Sequence, residues 1–183
     1  MKMNYIVIYV ILLILPVQGA NKKKSRSVYF LEIKNDYSKK YFKSIQVNIS
    51  SRRDSMNVLL EIAHDITNVW ASAGVALWQK STKQFQSMFT YDLDLCDMLL
   101  RLKTSKIQLL NKWIGNFLKY GNISKQCPFN RGTYYFNNLK VDRDSIPGFA
   151  PNGKFKVYLN PYEKKENGSK DVITDAYMII ELR

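Results

Sequence analysis

Short segments with alternating apolar and polar residues are the feature that most constrains the fold of this chain. A two-residue period places every second side chain on one face of a β-strand, so each segment can cover one side of an apolar core. The alternation predicts strands over 28–34, 45–49, 56–67, 85–95, 134–139, 155–159 and 176–182. This many short strands is typical of an all-β domain.

One segment follows a helical period instead. Ile107, Leu110, Ile114 and Phe117 are spaced as one face of an α-helix, which predicts a single inserted helix near residues 104–120. Short strands on both sides of one helix predict an immunoglobulin-like two-sheet β-sandwich.

The longest alternating segment, Met56 to Thr67, is open to two interpretations. Leu59, Ile62 and Ile66 also match the spacing of a helical face. Six alternate positions fit the strand pattern, so we favour a strand here.

The first 19 residues have the pattern of a secretory signal peptide. Lys2 precedes an apolar run from Ile6 to Leu15, and Val17 and Gly19 are the small residues that a signal peptidase reads. A membrane anchor is the alternative, but this run rises about 15 Å as a helix and a bilayer core needs about 30 Å. We therefore predict a signal peptide over 1–19, a single domain over 20–183 and secretion to the extracellular space.

Secretion determines the expected state of Cys96 and Cys127. Two thiols in an oxidising compartment predict one disulfide. Three sequons, at Asn48, Asn122 and Asn167, are candidate glycosylation sites, and a glycan needs a surface position.

Basic residues outnumber acidic ones by 28 to 15, which gives a net charge of +13. Removal of the signal peptide takes away only Lys2 and leaves +12. In a secreted protein we expect no nucleic-acid partner, and the excess points to anionic lipids, glycans or acidic receptor surfaces. The basic stretch Asn21–Ser27 predicts a solvated arm with a weak contact to anionic membranes.

Few residues of the chain could carry catalysis or bind a metal. His64 is the only histidine, and on a strand the adjacent Asp65 would point to the opposite face. A core or rim histidine is the favoured interpretation, and a hydrolase that uses His64 is the alternative. Asp92, Asp94 and Asp97 lack the pattern of a calcium loop and are interpreted as solvated carboxylates near a helix start. We predict no enzyme activity, no catalytic residue, no metal site and no cofactor.

Large aromatic residues are the candidates for a ligand site. In one interpretation they fill an ordinary core, and in the other they line an apolar pocket between two sheets. The candidate cavity residues are Trp70, Trp78, Phe85, Phe89, Trp113, Phe117 and Phe149.

A cysteine-anchored pattern is more specific than these features. The chain reads CDML at 96–99, CPFNRGTY at 127–134 and IPGFAPNGKFKV at 146–157. These motifs resemble those of the lipid-recognition superfamily called ML, which includes the ganglioside activator of lysosomes. The chain is most similar to the secreted insect branch of that superfamily, which includes proteins implicated in chemosensation. The resemblance covers roughly residues 90–160, with a compatible final strand.

The resemblance implies a β-cup, in which two antiparallel sheets splay around an apolar lipid cavity. It also implies that Cys96 pairs with Cys127 and that Pro128 and Gly132 shape the turn into the next strand. The implied activity is non-catalytic: binding, extracting or presenting a lipid, or assisting a receptor. The activator has further disulfides that this chain lacks.

We therefore expect a secreted, non-enzymatic binder of a lipid or pheromone-like molecule that serves as an accessory in chemosensation, in contact with a membrane receptor. The alternative is a secreted protein–protein interaction or co-receptor module with a filled core. A continuous apolar space between the sheets would favour the first hypothesis, and a filled interior the second.

Overall fold

The computed structural model describes residues 26–101 and 108–183 and folds them mainly into strands. The predicted signal peptide, the lysines at 22–24 and the start of the predicted helix lie outside the described residues. The strands are β1 (Val28–Tyr37), β2 (Phe42–Ile49), β3 (Met56–Ile62), β4 (Val69–Gln79), β5 (Gln84–Asp94), β6 (Gly132–Leu139), β7 (Gly153–Lys164), β8 (Lys170–Val172) and β9 (Thr174–Leu182). The helices are α1 (Leu95–Leu100) and α2 (Gln108–Lys119), and a short 3₁₀ turn covers Arg143–Ser145.

The strands form two antiparallel sheets of unequal size. The large sheet has the order β1-β9-β7-β4-β5, with the short β8 paired to β7, and the small sheet has the order β2-β3-β6. Strands account for 55% of the structure and helices for 12%, which confirms the predicted all-β sandwich. In this architecture the inner faces of the two sheets supply the core.

The strands at the ends of the two sheet orders pair irregularly. One shift of register occurs in each pairing of an edge strand: β1 with β9, β5 with β4, β2 with β3, and β6 with β3. The central pairings of the large sheet, β4 with β7 and β7 with β9, run without a shift. Irregularities of this kind bend a strand and increase its local twist.

The two-residue alternation does not predict β4 because apolar residues occupy both faces of this strand. Ala71 and Val75 are buried on the inner face, whereas Trp70 and Trp78 lie on the outer face. A central strand with apolar residues on both faces reads as a continuous apolar run, without the alternation of a half-exposed strand.

The strand predicted over 56–67 is wrong in its second half. β3 ends at Ile62, and the following residues leave the sheet. Ile66 forms an isolated bridge with Phe129 and is buried there, so a core contact outside the sheet explains its apolar character. His64 consequently lies in an exposed bend and not on the apolar face of a strand.

The predicted helix is confirmed over its described part, Gln108–Lys119. The alternation misses α1, because Leu93 and Leu95 continue the strand period across the boundary. Asp94 marks that boundary: its carboxylate accepts the backbone N–H of Asp97 at 2.9 Å and caps the helix.

Cys96 and Cys127 form a disulfide, which confirms the predicted pairing. Cys96 lies on α1, directly after β5 of the large sheet, and Cys127 precedes β6 of the small sheet. Both sulfurs pack against a cluster of buried side chains, which consists of Tyr41, Phe42, Ile62, Ile66, Val69, Phe129 and Ile173. We call this region the disulfide end of the sandwich.

Replacement of both cysteines by alanine should lower the free energy of unfolding by about 3–4 kcal/mol, because the bond closes a long loop in the unfolded chain. Urea unfolding measures this change. Dithiothreitol provides the control: it should destabilise the wild-type protein to the level of the variant and leave the variant unchanged. A variant as stable as the oxidised wild type would contradict this role of the bond.

Candidate functional site

A continuous apolar row crosses the inner face of the large sheet. Strand register aligns Phe89 of β5, Val75 of β4, Val157 of β7, Met178 of β9 and Ile33 of β1. Val75 is buried and the other four are partly buried. The alternation of the strands directs all five toward the small sheet.

The next inward-facing row is also apolar, but it is open to solvent. Tyr91, Ala73 and Leu159 pair across β5, β4 and β7. Tyr91 is 61% exposed and Leu159 is 48% exposed. Large apolar side chains on the inner face of a sandwich ordinarily pack against the other sheet. Their exposure therefore shows that the small sheet does not cover this part of the inner face, and we call these three residues the open row.

The small sheet supplies the opposite wall of this interior. Its inward-facing residues form two cross-strand rows: Ile45, Leu60 and Tyr134, and then Val47, Val58 and Phe136. The only polar group among these six side chains is the hydroxyl of Tyr134, which donates to the backbone carbonyl of Asn130 at 2.7 Å. The wall is therefore apolar and carries no charge.

An open groove of about 440 Å³ lies where the edges of β1 and β2 face each other. Small-molecule sites span roughly 300–1,000 Å³, so the groove is within that range. Ile33 belongs both to the groove and to the apolar row of the large sheet, so the groove meets that row at its β1 end. The lining residues are Ile33, Asn35, Ile45, Val47, Asn48 and Ile49.

Helix α2 covers the side of the interior opposite to this groove. Trp113 packs against the cluster that contains Val75 and Phe155, and Phe117 stacks on Phe136 of the small sheet at a centroid distance of 4.0 Å. The helix thereby contacts side chains of both sheets. Within the described part of the chain, no helix is long and apolar enough to cross a membrane.

Side chains of α2 hold it to the segment that precedes β7. Trp113 Nε1 donates to the carbonyl of Ser145 at 2.6 Å. Asn116 donates to the carbonyl of Lys140 at 2.7 Å and accepts the backbone N–H of Asp142 at 2.8 Å. These bonds fix the position of the helix along one of its sides.

Three of the seven predicted cavity residues border the interior. Phe89 lies in the first inward-facing row, and Trp113 and Phe117 lie on α2. Tyr91 and Leu159 are not among the seven predicted residues. The alternation assigned both to strands, but it cannot tell which face of a strand meets the second sheet or where that sheet stops.

The other four predicted residues lie outside the interior. Trp78 and Phe85 stack edge to face on the outer face of the large sheet, with centroids 5.0 Å apart. Trp70 lies on the same face beneath the ammonium group of Lys164, at 4.5 Å. Phe149 projects from the loop that precedes β7 and is 82% exposed.

The three candidate glycosylation residues, Asn48, Asn122 and Asn167, are all exposed. The side-chain oxygen of Asn122 accepts the backbone N–H of Tyr135 at 2.8 Å, and that of Asn167 accepts the backbone N–H of Ser169 at 3.0 Å. The surface requirement is met at each position, and glycan attachment stays a prediction.

The acidic run at the end of β5 has structural partners. Asp92 pairs with Lys170 at 2.9 Å, Asp97 pairs with Arg101 at 2.7 Å, and Asp94 caps α1. Among the residues that the structure describes, no three His, Cys, Asp or Glu side chains are grouped so as to hold a metal ion.

Ionisable groups surround the buried side chain of Tyr41 at the disulfide end. The Tyr41 hydroxyl donates toward Asp171 at 2.8 Å and Glu163 at 3.0 Å, and Lys40 Nζ donates to Asp171 at 2.6 Å. Burial raises the pKa of Tyr41 to about 12, and the hydrogen bonds from Lys40 and Tyr41 lower the pKa of Asp171 to about 2. The ring of His64 lies 5.3 Å from that of Tyr41. The cluster ties the turn between β1 and β2 to β8, and we interpret it as structural.

Comparison with known proteins gives one family match. The model of a family described as a protein of unknown function, DUF1091, matches residues 73–157. The match runs from β4 into β7 and includes Ala73, Tyr91, the disulfide and α2. The chain is thus similar to an uncharacterised family in this part, which is compatible with an ML-like fold. No curated protein matches the chain.

Tyr41→Phe should lower the free energy of unfolding by about 1–3 kcal/mol, because it leaves Glu163 and Asp171 without the hydroxyl proton in a partly buried site. Urea unfolding measures the change. Tyr135→Phe, at an exposed position on the outer face of the small sheet, is the control and should change stability by less than about 0.5 kcal/mol. Equal effects of the two variants would contradict the role of the cluster.

Stability should also fall in acid through Asp171. Its pKa is lowered in the folded state, so its contribution is present above the ordinary value of 3.8 and is lost as the pH falls through about 2. Thermal unfolding across this interval should show a shallower loss of stability for Asp171→Asn than for the wild-type protein. Parallel curves would show that Asp171 does not contribute in this way.

Proposed function

We propose that this protein is a secreted, non-enzymatic binder of a hydrophobic ligand, a lipid or pheromone-like molecule, held between its two sheets. The open row carries this proposal, because Tyr91 and Leu159 face the interior and remain exposed. A ligand in this space would remove both side chains from water and would fill the gap between the sheets.

The walls of the interior suit a ligand with a long hydrocarbon part. Burial of each CH₂ group contributes about 0.8 kcal/mol, and no directional contact is needed for this gain. Asn35 lies at the groove between β1 and β2 and offers an amide to a hydroxyl, carbonyl or carboxyl end group. This arrangement favours an amphipathic molecule with its polar end at the groove and its chain along the open row.

The positions of the histidine and the two cysteines support a non-enzymatic binding function. His64 is exposed at the disulfide end, and both cysteines are joined to each other. A nucleophile and a base would have to lie within hydrogen-bond reach of each other for hydrolysis. The described rows that face the interior contain no His, Cys, Asp or Glu.

Secretion and a chemosensory role with a membrane receptor rest on other observations. The first 19 residues have the pattern of a signal peptide, and a disulfide is typical of proteins from oxidising compartments. The chemosensory role and the receptor rest on the resemblance to the secreted insect branch of the ML superfamily.

The alternative of an interaction module predicts a filled core. The exposure of Tyr91 and Leu159 on the inner face of the large sheet favours the carrier over this alternative. A filled sandwich would bury both side chains against the small sheet.

The ligand site can be tested with diphenylhexatriene, a neutral hydrocarbon that fluoresces in apolar surroundings. The wild-type protein should bind it saturably. Leu159→Glu should weaken binding at least tenfold, or by about 1.4 kcal/mol, because a carboxylate in an apolar space must lose its hydration. Leu59→Glu is the matched control: Leu59 is 42% exposed on the outer face of the small sheet and should tolerate the same change.

The two variants separate the outcomes. Equal loss of binding in Leu159→Glu and Leu59→Glu would place the probe outside the interior. Absence of saturable binding by the wild-type protein, together with no lipid detected by mass spectrometry of the secreted protein, would reject the carrier function.

A further inference from the structure

The two ends of the sandwich differ in net charge, because acidic residues are fewer at the end opposite to the disulfide. We define the basic end by the segments that connect the strands there, each extended by two residues into the strands on either side. These segments are 26–29, 48–57, 78–85, 138–154 and 181–183. It carries nine Lys or Arg residues and four Asp or Glu residues. The equivalent described segments of the disulfide end, 36–43, 61–70, 93–101, 120–133 and 163–175, carry nine of each. Among these segments, the basic excess therefore lies at one end.

The most exposed large apolar side chain of the described residues projects from the basic end. Phe149 is 82% exposed in the loop between the 3₁₀ turn and β7. The loop itself is held in place, because Arg26 donates to the carbonyl of Pro147 at 3.0 Å and Ile146 and Ala150 pack against the core. The fold thus presents Phe149 on an anchored loop.

Cations without ion pairs accompany Phe149 at this end. Lys80 and Lys83 lie in the turn between β4 and β5, Arg143 lies in the 3₁₀ turn, and Lys154 follows the Phe149 loop. All four are exposed, and none forms an ion pair within the described part of the chain. An exposed aromatic ring among free cations is the combination that binds anionic bilayers: the ring enters the acyl boundary while the cations approach lipid phosphates.

We propose that the basic end is a docking surface for anionic phospholipid bilayers, with Phe149 as its inserted side chain. The basic excess of the sequence predicts a contact with anionic surfaces in general, and the fold places the cations and Phe149 together at one end. The docking proposal goes beyond the proposed ligand binding and does not depend on it.

Vesicle flotation tests the inserted side chain. The wild-type protein should float with vesicles of phosphatidylcholine and phosphatidylserine at low salt, but not with phosphatidylcholine vesicles alone. Phe149→Ala should weaken this binding about tenfold or more, because the apolar contact is lost. Leu100→Ala is the matched control, since Leu100 is 71% exposed at the disulfide end and should have no effect.

A pair of charge-reversal variants tests the location of the electrostatic contact. Lys80→Glu with Lys83→Glu should weaken vesicle binding at least tenfold, and added salt should weaken wild-type binding in the same way. Lys39→Glu with Lys125→Glu makes the same change in net charge at exposed positions of the disulfide end and should weaken binding at most about twofold.

Three results would overturn this proposal: Phe149→Ala floating like the wild-type protein, both charge-reversed variants losing binding equally, or the wild-type protein binding a sulfated polysaccharide and not vesicles. The diphenylhexatriene titration is a separate readout. If the protein binds diphenylhexatriene but does not float with vesicles, the docking proposal fails and the ligand function stands. If it floats but does not bind the probe, the ligand function fails and the docking proposal stands.

Discussion

The inequality of the two sheets governs the rest of this structure. A sandwich is filled when each inner face is covered by the opposite sheet, and three strands cannot cover the inner face of a sheet that is five strands wide. Helix α2 compensates in part, since it places Trp113 and Phe117 against side chains of both sheets. What the helix and the small sheet leave uncovered is the row of Tyr91, Ala73 and Leu159. The candidate site is therefore a consequence of strand number more than of any special residue.

The two ends of the sandwich differ in the forces that act there. At the disulfide end, a covalent bond, a buried apolar cluster and the polar contacts of Tyr41 hold the sheets together. At the basic end, connecting loops carry unpaired cations and an exposed Phe149. The first arrangement favours rigidity, whereas the second leaves charged groups and an aromatic ring in contact with water.

The sequence predicts most of the fold because one face of most strands meets water and the other meets the core. Where that contrast disappears, prediction fails: β4 carries Trp70 and Trp78 on its outer face and reads as a uniform apolar run. Ile66 gives the opposite error. It continues the alternation of β3 and so predicts a longer strand, but it is buried against Phe129 outside the sheet.

The candidate site was less predictable than the fold. Aromatic residues are equally apolar on both faces of a sheet, so residue type could not separate Phe89, which faces inward, from Phe85, which does not. Leu159 and Tyr91 acquire their importance from the position where the small sheet ends, and no local pattern in the sequence records that position.

The irregular pairing of β1, β2, β5 and β6 has a consequence for the protein in concentrated solution. A straight strand with a free edge can recruit a strand from a second molecule. A shift of register at each of these strands breaks the regular ladder that an added strand would need. The molecule can therefore leave these strands at the edges of its sheets without offering a regular ladder to a second copy.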